Sequence, residues 1–187
     1  MVYDEMKQVI AEQYLCFPAM LEMVIYNTTG KSISQYNIAE RFGITVPFNY
    51  SGALKNIIKS NDSSQYGTHI EEKDINAFLT ETGIPLKCEY IEGKRINDIF
   101  FSERIEKFLS QDMTIICSYS YGYLYGVKGA ISLGHISQVL SIDNNETVQI
   151  YDPGPDRHGV KSVSSILLHD AIRYRNGGLY LFTRREL

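Results

Sequence analysis

Three residues that lie far apart in the sequence carry side chains that together can catalyse acyl transfer: Cys16, His135 and Asp152. A thiolate attacks a carbonyl carbon, and an imidazole takes the thiol proton or pairs with the thiolate as imidazolium. A carboxylate orients such an imidazole and stabilises its charged form. Each residue also has an ordinary interpretation: a small buried apolar side chain, a half-exposed strand residue and an Asp that opens a turn before Pro153. The combination, rather than any one residue, indicates chemistry.

Cys16 lies at the predicted start of an apolar helix that runs to about Thr29, with Gly30 in the position of a left-handed C-terminal cap. The positive end of the helix dipole and the free N–H groups of a helix start both favour a thiolate. Cys88 and Cys117 lie in apolar, strand-like runs and are expected in the core. The sequence therefore favours Cys16 as the nucleophile.

His135 and Asp152 belong to two strand-like runs, 134–142 and 147–151, with Asp152 directly after the second. The polar segment 143–146 between them is typical of a hairpin turn. A hairpin centred on this segment places residues 135 and 152 nearly opposite each other. The pattern therefore predicts contact between the imidazole and the carboxylate.

No cofactor and no metal site is expected from the sequence. His69, His158 and His169 have no histidine four residues away, which is the spacing of a zinc-peptidase helix. The three cysteines are odd in number and too widely spaced for a disulfide framework or a metal knuckle. His158 lies near Asp152 in sequence and is a rival to His135 as the base, although a histidine in a turn loop is usually solvated.

The elements that must position these residues are helices in the first part of the chain and mainly strands in the second. Helices are predicted over 16–29, 34–43, 71–82, 97–110 and 162–174, and strands over 86–91, 113–120, 134–142, 147–151 and 179–183. Residues 119–129 are interpreted as a strand end or loop, and 59–67 as a loop. This order predicts an α+β fold of one domain (1–187), mainly helical over about 1–110 and mainly β over about 111–187.

Composition excludes several classes of partner. The chain has 187 residues with 18 basic and 22 acidic side chains, so its net charge of −4 offers no footprint for nucleic acid or an anionic membrane. Its longest apolar run is far below the ~18 residues that a membrane-spanning helix needs. The first residues lack a basic region followed by an apolar stretch, so a cytoplasmic location is expected.

The segment Gln13-Tyr14-Leu15-Cys16-Phe17-Pro18-Ala19 resembles the nucleophile motif of the double-glycine leader peptidases. These are papain-like cysteine peptidase domains of bacteriocin-exporting transporters, and they have stand-alone bacterial relatives. Segment 33–39 resembles their second-helix segment, and 134–140, 148–151 and Asp152-Pro153 resemble their histidine strand and aspartate–proline turn. The order Cys, His, Asp also fits the wider papain-like superfamily.

This resemblance implies a papain-like fold, in which a helical lobe presents the cysteine, a sheet lobe presents the other two residues, and a cleft lies between. It implies that Cys16 is the nucleophile, His135 the base and later the acid, and Asp152 the orienting residue. A peptide or other acyl substrate would be cleaved through a thioester at Cys16. The Cys16 N–H would be one oxyanion donor, and Gln13 is the candidate side-chain donor, with Gln8 as the alternative.

The sequence departs from the family at two points. Phe17 stands where the family has Gly, which we expect to narrow or reshape the entrance, and Gln13 precedes Cys16 by three positions instead of five or six. A thiol acyltransferase or transpeptidase on the same fold fits the same residues, because only the acceptor that resolves the thioester differs. A non-catalytic peptide-binding relative is the other alternative. The loop 59–67 is hypothesised to flank the cleft.

Overall fold

The computed structural model describes residues 6–96, 100–130, 132–155 and 157–185. The helices are α1 (Cys16–Thr29), α2 (Gln35–Phe42), α3 (Glu72–Glu81), α4 (Phe101–Ser110), α5 (Tyr121–Tyr125) and α6 (Ser165–Tyr174). The strands are β1 (Ile44–Pro47), β2 (Ile57–Ser60), β3 (Leu86–Glu92), β4 (Thr114–Ser120), β5 (Gly134–Ile142), β6 (Thr147–Asp152), β7 (Gly159–Ser164) and β8 (Gly178–Arg184). Helices dominate the first part and an antiparallel sheet the second, which confirms the α+β prediction.

The sheet that carries the C-terminal half has six antiparallel strands in the order β3-β8-β4-β5-β6-β7. Its edge strand β3 comes from the mainly helical part of the chain and pairs with β8, the last strand. A separate pair, β1 and β2, is parallel. The order of the large sheet therefore brings segments from both ends of the sequence side by side.

Two hydrophobic cores lie on the two faces of the large sheet. Successive residues of a strand point to opposite faces, so Ile115 and Ile116 of β4 belong to different cores. The core around Ile116 contains the apolar residues of α1 and α3. The core around Ile115 contains those of α4 and α6. The sheet thus lies between α1 and α3 on one side and α4 and α6 on the other.

Helix α1 is the central element of the first core. Residues 17–25 are buried without a break, as the continuous apolar run predicts for a helix surrounded by protein. Gly30 has φ 73° and donates its N–H to the Tyr26 carbonyl, closing the helix with a left-handed cap. The predicted bounds of this helix and its glycine cap are confirmed.

Several predictions for the remaining elements are corrected. Residues 162–164, predicted as the start of a helix, belong to β7, which pairs along its whole length with β6. Within 119–129, interpreted as a strand end or loop, Tyr121–Tyr125 form the short helix α5, capped by Ser120 and ended by Gly126 in the left-handed region. Pairing with β6 thus decides the structure of 162–164, whereas α5 is closed by its own two caps.

The short pair β1 and β2 was not predicted, and β2 extends into the predicted loop 59–67, which also holds a single 3-10 turn at Ser63–Gln65. Helix α4 begins at Phe101, and residues 97–99 of the predicted helix 97–110 lie outside the described residues. No helix in the described parts of the chain is long and apolar enough to cross a membrane.

Candidate active site

Cys16 is the first residue of α1 and is partly exposed. The N-cap residue Leu15 makes no side-chain cap, so the N–H groups of the first turn remain available to a ligand. Tyr14 has φ 70°, a left-handed conformation that non-glycine residues seldom adopt and that often marks functional sites. By contrast, burial raises the pKa of the Cys88 and Cys117 thiols to about 12. Of the three cysteines, Cys16 is the one whose side chain is not buried.

His135 and Asp152 contact each other across the sheet, as the hairpin pattern predicted. The imidazole Nε2 lies 2.7 Å from Oδ1 of Asp152. The strands pair with Gln138 opposite Tyr151, so the next position places Asp152 opposite residue 137. His135 lies two residues further along the same face of β5, and the two side chains therefore meet diagonally rather than directly opposite.

Asp152 is almost fully buried, and both of its carboxylate oxygens are hydrogen-bonded. Oδ1 accepts from His135 and from the Gly154 N–H at 2.9 Å. Oδ2 accepts from Lys161 Nζ at 2.7 Å and from the Tyr125 hydroxyl at 3.3 Å. Burial by itself raises the pKa of this carboxyl, but its donors, His135 foremost, outweigh burial and lower the pKa to about 2. The carboxylate is therefore ionised at any physiological pH.

His135 lies between Asp152 and Cys16. Burial by itself lowers the pKa of the imidazole, but its hydrogen bond to Asp152 and its interaction with the nearby Cys16 side chain outweigh burial and raise the pKa to about 9. The edges of two tyrosines enclose the ring, with centroids at 5.7 Å for Tyr119 and 5.3 Å for Tyr121. The arrangement favours an imidazolium, which stabilises a neighbouring thiolate.

Two cavities meet at Cys16 and His135. The first has a volume of about 290 Å³ and is also lined by Gln13, Asp152 and Arg157. The second has a volume of about 380 Å³ and extends toward β3, β8 and the end of α6. Their common lining residues are Cys16, Tyr66, Gly67, Gly134 and His135. We call the two cavities together the cleft; Cys16 lines both of its parts.

The loop hypothesised to flank the cleft does so through its last two residues, Tyr66 and Gly67, which line both cavities. Gly67 exchanges two backbone hydrogen bonds of 2.9 Å with Thr45 of β1. The small parallel pair thus holds this wall beside Cys16.

The two glutamines considered for the oxyanion site have different positions. Gln13 lines the first cavity, and its Nε2 donates to the Tyr14 hydroxyl at 3.2 Å. Gln8 is exposed and lines neither cavity. Phe17 is buried, packs against Tyr180 with ring centroids 5.4 Å apart and forms part of the second cavity's wall. Its ring therefore shapes the second cavity and is not among the residues lining the first.

Sequence reasoning missed Lys161 and Tyr125, the partners of Asp152 Oδ2. Lys161 Nζ also lies 4.9 Å above the Tyr125 ring. The only usable signal would have been a strand at 159–164 paired with β6, and the helix predicted from residue 162 concealed it.

The other histidines lie away from His135 and Asp152 or have other partners. His158 is exposed and lines neither cavity, and His169 is buried with Nε2 near the Ile96 carbonyl. His69 lines the second cavity, where its Nε2 lies 2.6 Å from the Gln65 carbonyl. Across the described ranges, no group of three or more His, Cys, Asp or Glu side chains could hold a metal ion.

Comparison with known proteins supports the fold. No family model matches this sequence, and no curated protein is significantly similar to it. Among solved structures, the chain is similar to that of a candidate C39-like peptidase from Bacillus anthracis, with a TM-score of 0.61 and 14% sequence identity. The match covers 99% of this chain and 98% of that one. At this identity the likeness shows a shared α+β, papain-like fold and nothing finer.

Proposed function

We propose that the protein is a cysteine peptidase-like hydrolase that cleaves a peptide or amide bond through a thioester at Cys16. The observation that carries the proposal is that Cys16 and His135 line the same two cavities while His135 is hydrogen-bonded to the buried Asp152. A nucleophile, a base bonded to it and a third group that orients the base are the recurring parts of such sites. The papain-like fold of the whole chain is consistent with this chemistry.

The first half of the reaction would form the acyl-enzyme. The Cys16 thiolate attacks the substrate carbonyl carbon, and the carbonyl electrons move to the oxygen, which becomes an oxyanion. The Cys16 N–H, which as the first in the helix has no partner within it, and the Gln13 amide would donate to that oxyanion. His135 then gives its proton to the leaving nitrogen, the C–N bond breaks and a thioester remains.

The second half would release the acid. His135, now neutral, takes a proton from a water molecule as the water oxygen attacks the thioester carbon. The C–S bond breaks, the carboxylic acid leaves, and the thiolate–imidazolium pair is restored. Asp152 holds the imidazole through Nε2 in both halves, which leaves Nδ1 for the thiol and the reacting groups.

The resemblance of segment 13–19 to the leader peptidases supports a relation to that group within the papain-like superfamily. The proposal takes from this resemblance the roles of Cys16, His135, Asp152 and Gln13. It does not take the double-glycine substrate, because no contact in the cleft argues for it.

Alkylation kinetics across a pH series, with mass spectrometry to locate the label, test the proposal. We expect iodoacetamide to modify Cys16 rapidly at pH ~6, well below the pKa of ~8.5 of a free thiol. Cys88 and Cys117 serve as internal controls, since both are buried. His135→Ala should remove the fast reaction, and a pool of peptides should be hydrolysed by the wild type and not by Cys16→Ala. Equal labelling of all three cysteines would contradict the nucleophile assignment.

A further inference from the structure

Arg175 brings a positive charge into the cleft beside the candidate base. It directly follows α6 and lines the second cavity together with Cys16 and His135. Its guanidinium lies against Gly134, the residue before His135, because a Cβ built on Gly134 would lie 2.9 Å from Nε and 3.1 Å from Nη2 of Arg175. The charge is therefore within reach of a substrate group one or two residues from the reacting carbonyl.

This charge has no carboxylate partner in the described parts of the chain, where no Asp or Glu oxygen lies within 4.0 Å of the guanidinium. Among the described residues, the guanidinium makes one hydrogen bond, from Nη2 to the Ser64 carbonyl at 2.6 Å. Burial lowers the pKa of Arg175, and the attraction of Asp62 only partly opposes this. A guanidinium has five N–H donors in a planar fork, so a partly buried one with a single partner suits an anionic ligand.

A second polar group in the same cavity also lacks a partner. Thr68 Oγ1 is buried and has no hydrogen-bond partner among the described residues, and Thr68 lines the second cavity. A buried hydroxyl is normally hydrogen-bonded, so an orphaned one on a residue of the cavity wall is a candidate contact for a ligand atom. Arg175 and Thr68 thus offer unused hydrogen-bonding capacity to the same space.

The rest of the second cavity combines an apolar wall with little competing charge. Tyr180 contacts both Phe17 and Tyr90, with ring centroids 5.4 Å and 4.7 Å apart, and all three line the cavity. The acidic lining residue Glu71 has a 74% exposed side chain and pairs with Lys73 at 2.9 Å. A substrate group with an apolar stem and a terminal carboxylate would be complementary to these walls.

We propose that the second cavity binds a substrate carboxylate next to the scissile bond, held by Arg175 and Thr68. This inference rests on the proposed function, because the cavity includes Cys16 and His135. Two substrates present such a group there: an acidic side chain within one or two residues of the cleaved bond, or the free carboxylate of a chain end.

Calorimetric titration of the Cys16→Ala protein with short blocked peptides tests the proposal without requiring cleavage. One pair is acetyl-Ala-Ala-Glu-Ala-Ala-amide and its Gln analogue, and the other is acetyl-Ala-Ala-Ala with a free or amidated C-terminus. We expect one acidic member to bind about tenfold or more tightly than its neutral match, the effect of one charge-assisted hydrogen bond. The pair that shows the preference identifies the source of the carboxylate.

Variants assign the preference to the cavity. Arg175→Gln should remove it and Arg175→Lys should retain part of it, while Arg173→Gln, in the last turn of α6 and outside both cavities, should leave it unchanged. If Arg175→Gln does not fold, Thr68→Val, which removes only the orphaned hydroxyl, should still weaken binding of the acidic peptide. Equal binding of acidic and neutral peptides, or a preference that survives Arg175→Gln, would overturn the inference.

The inference and the proposed function fail separately. An unreactive Cys16 in the alkylation series would contradict the proposed hydrolase function, while carboxylate binding could still be measured with the Cys16→Ala protein. A reactive Cys16 combined with equal binding of acidic and neutral peptides would contradict the carboxylate site and leave the proposed hydrolase function intact.

Discussion

At the residue scale, Asp152 carries more interactions than orientation of an imidazole requires. One oxygen serves His135 and the Gly154 N–H, while the other is paired with Lys161 and Tyr125. A cation on the second oxygen spreads the carboxylate's charge between two partners. The strength with which Asp152 stabilises an imidazolium is therefore set partly by Lys161.

Lys161→Met tests this division of charge. Without the lysine, the full carboxylate charge acts on the imidazole, so we expect the pKa of His135 to rise above its present value of about 9. The free energy of unfolding should fall by about 1–3 kcal/mol, because the buried Asp152 carboxylate would lack one of its hydrogen-bond donors. NMR titration of the His135 ring and urea unfolding measure the two effects. Lys161→Arg, which keeps the charge, should behave like the wild type, and an unchanged His135 titration in Lys161→Met would contradict the argument.

Stability should depend on pH through the same pair. The pKa of Asp152 is lowered to about 2, whereas an Asp in an unfolded chain has a pKa of ~3.9. The contribution of Asp152 to the free energy of unfolding is therefore complete above pH ~3.9 and is lost as the pH falls toward 2. The pKa of His135 is raised to about 9 from the ~6.5 of an unfolded chain. The contribution of His135 to the free energy of unfolding is therefore complete below pH ~6.5 and is lost as the pH rises through 9. The free energy of unfolding should therefore be greatest between about pH 4 and pH 6.5 for these two groups.

Urea unfolding at a series of pH values in the wild type and in His135→Ala measures this dependence. The variant should lose the decline between about pH 6.5 and pH 9, while it still unfolds in acid. If the free energy of unfolding fell equally in both proteins over this range, groups other than His135 would be responsible for the decrease.

At the element scale, the junction between α6 and β8 places both Arg175 and the last strand. Gly177 lies at this junction, and a Cβ on it would overlap the Ser118 carbonyl of β4. The approach of the two backbones leaves no room for a side chain. The glycine is therefore needed for close packing of the chain, without a positive φ.

Gly177→Ala should destabilise the fold by several kcal/mol, since either the backbone of β4 or the α6–β8 junction must shift. Gly129→Ala is the matched control, because nothing lies within 4 Å of a Cβ at that position. Thermal unfolding of both variants measures the difference. A Gly177→Ala protein as stable as the Gly129→Ala control would show that this junction yields easily.

At the scale of the whole molecule, a single sheet separates two cores, one with α1 and α3 and the other with α4 and α6. Both cores share the strands β4, β5, β6 and β8, because alternate residues of each strand face opposite sides. Loss of the sheet would expose both cores at once. This sharing leads us to expect one cooperative unit, and the single domain expected from chain length stays a prediction.

We therefore expect one unfolding transition for the full chain. Calorimetric and van't Hoff enthalpies should agree, and far-ultraviolet and tyrosine signals should change together. Two resolved transitions, with one confined to the helices of the first 110 residues, would instead indicate two domains.

The sequence alone determined the features that depend on neighbours along the chain. The apolar run and Gly30 defined α1 and placed Cys16 at its start. The alternating strands on either side of segment 143–146 defined a hairpin that brings His135 to Asp152. Helical periodicity, capping and turn chemistry act over a few residues, so they can be read without knowing the fold.

The tertiary structure decided the strand pairings and cavity contacts that no local turn pattern marks. Lys161 reaches Asp152 only because β7 pairs with β6, and that pairing makes a strand of residues whose local pattern suggested a helix. The second cavity gathers Phe17, Thr68 and Arg175 from α1, the loop before α3 and the end of α6. Such contacts depend on sheet order and packing, which local patterns do not encode because each is stabilised by residues distant in the chain.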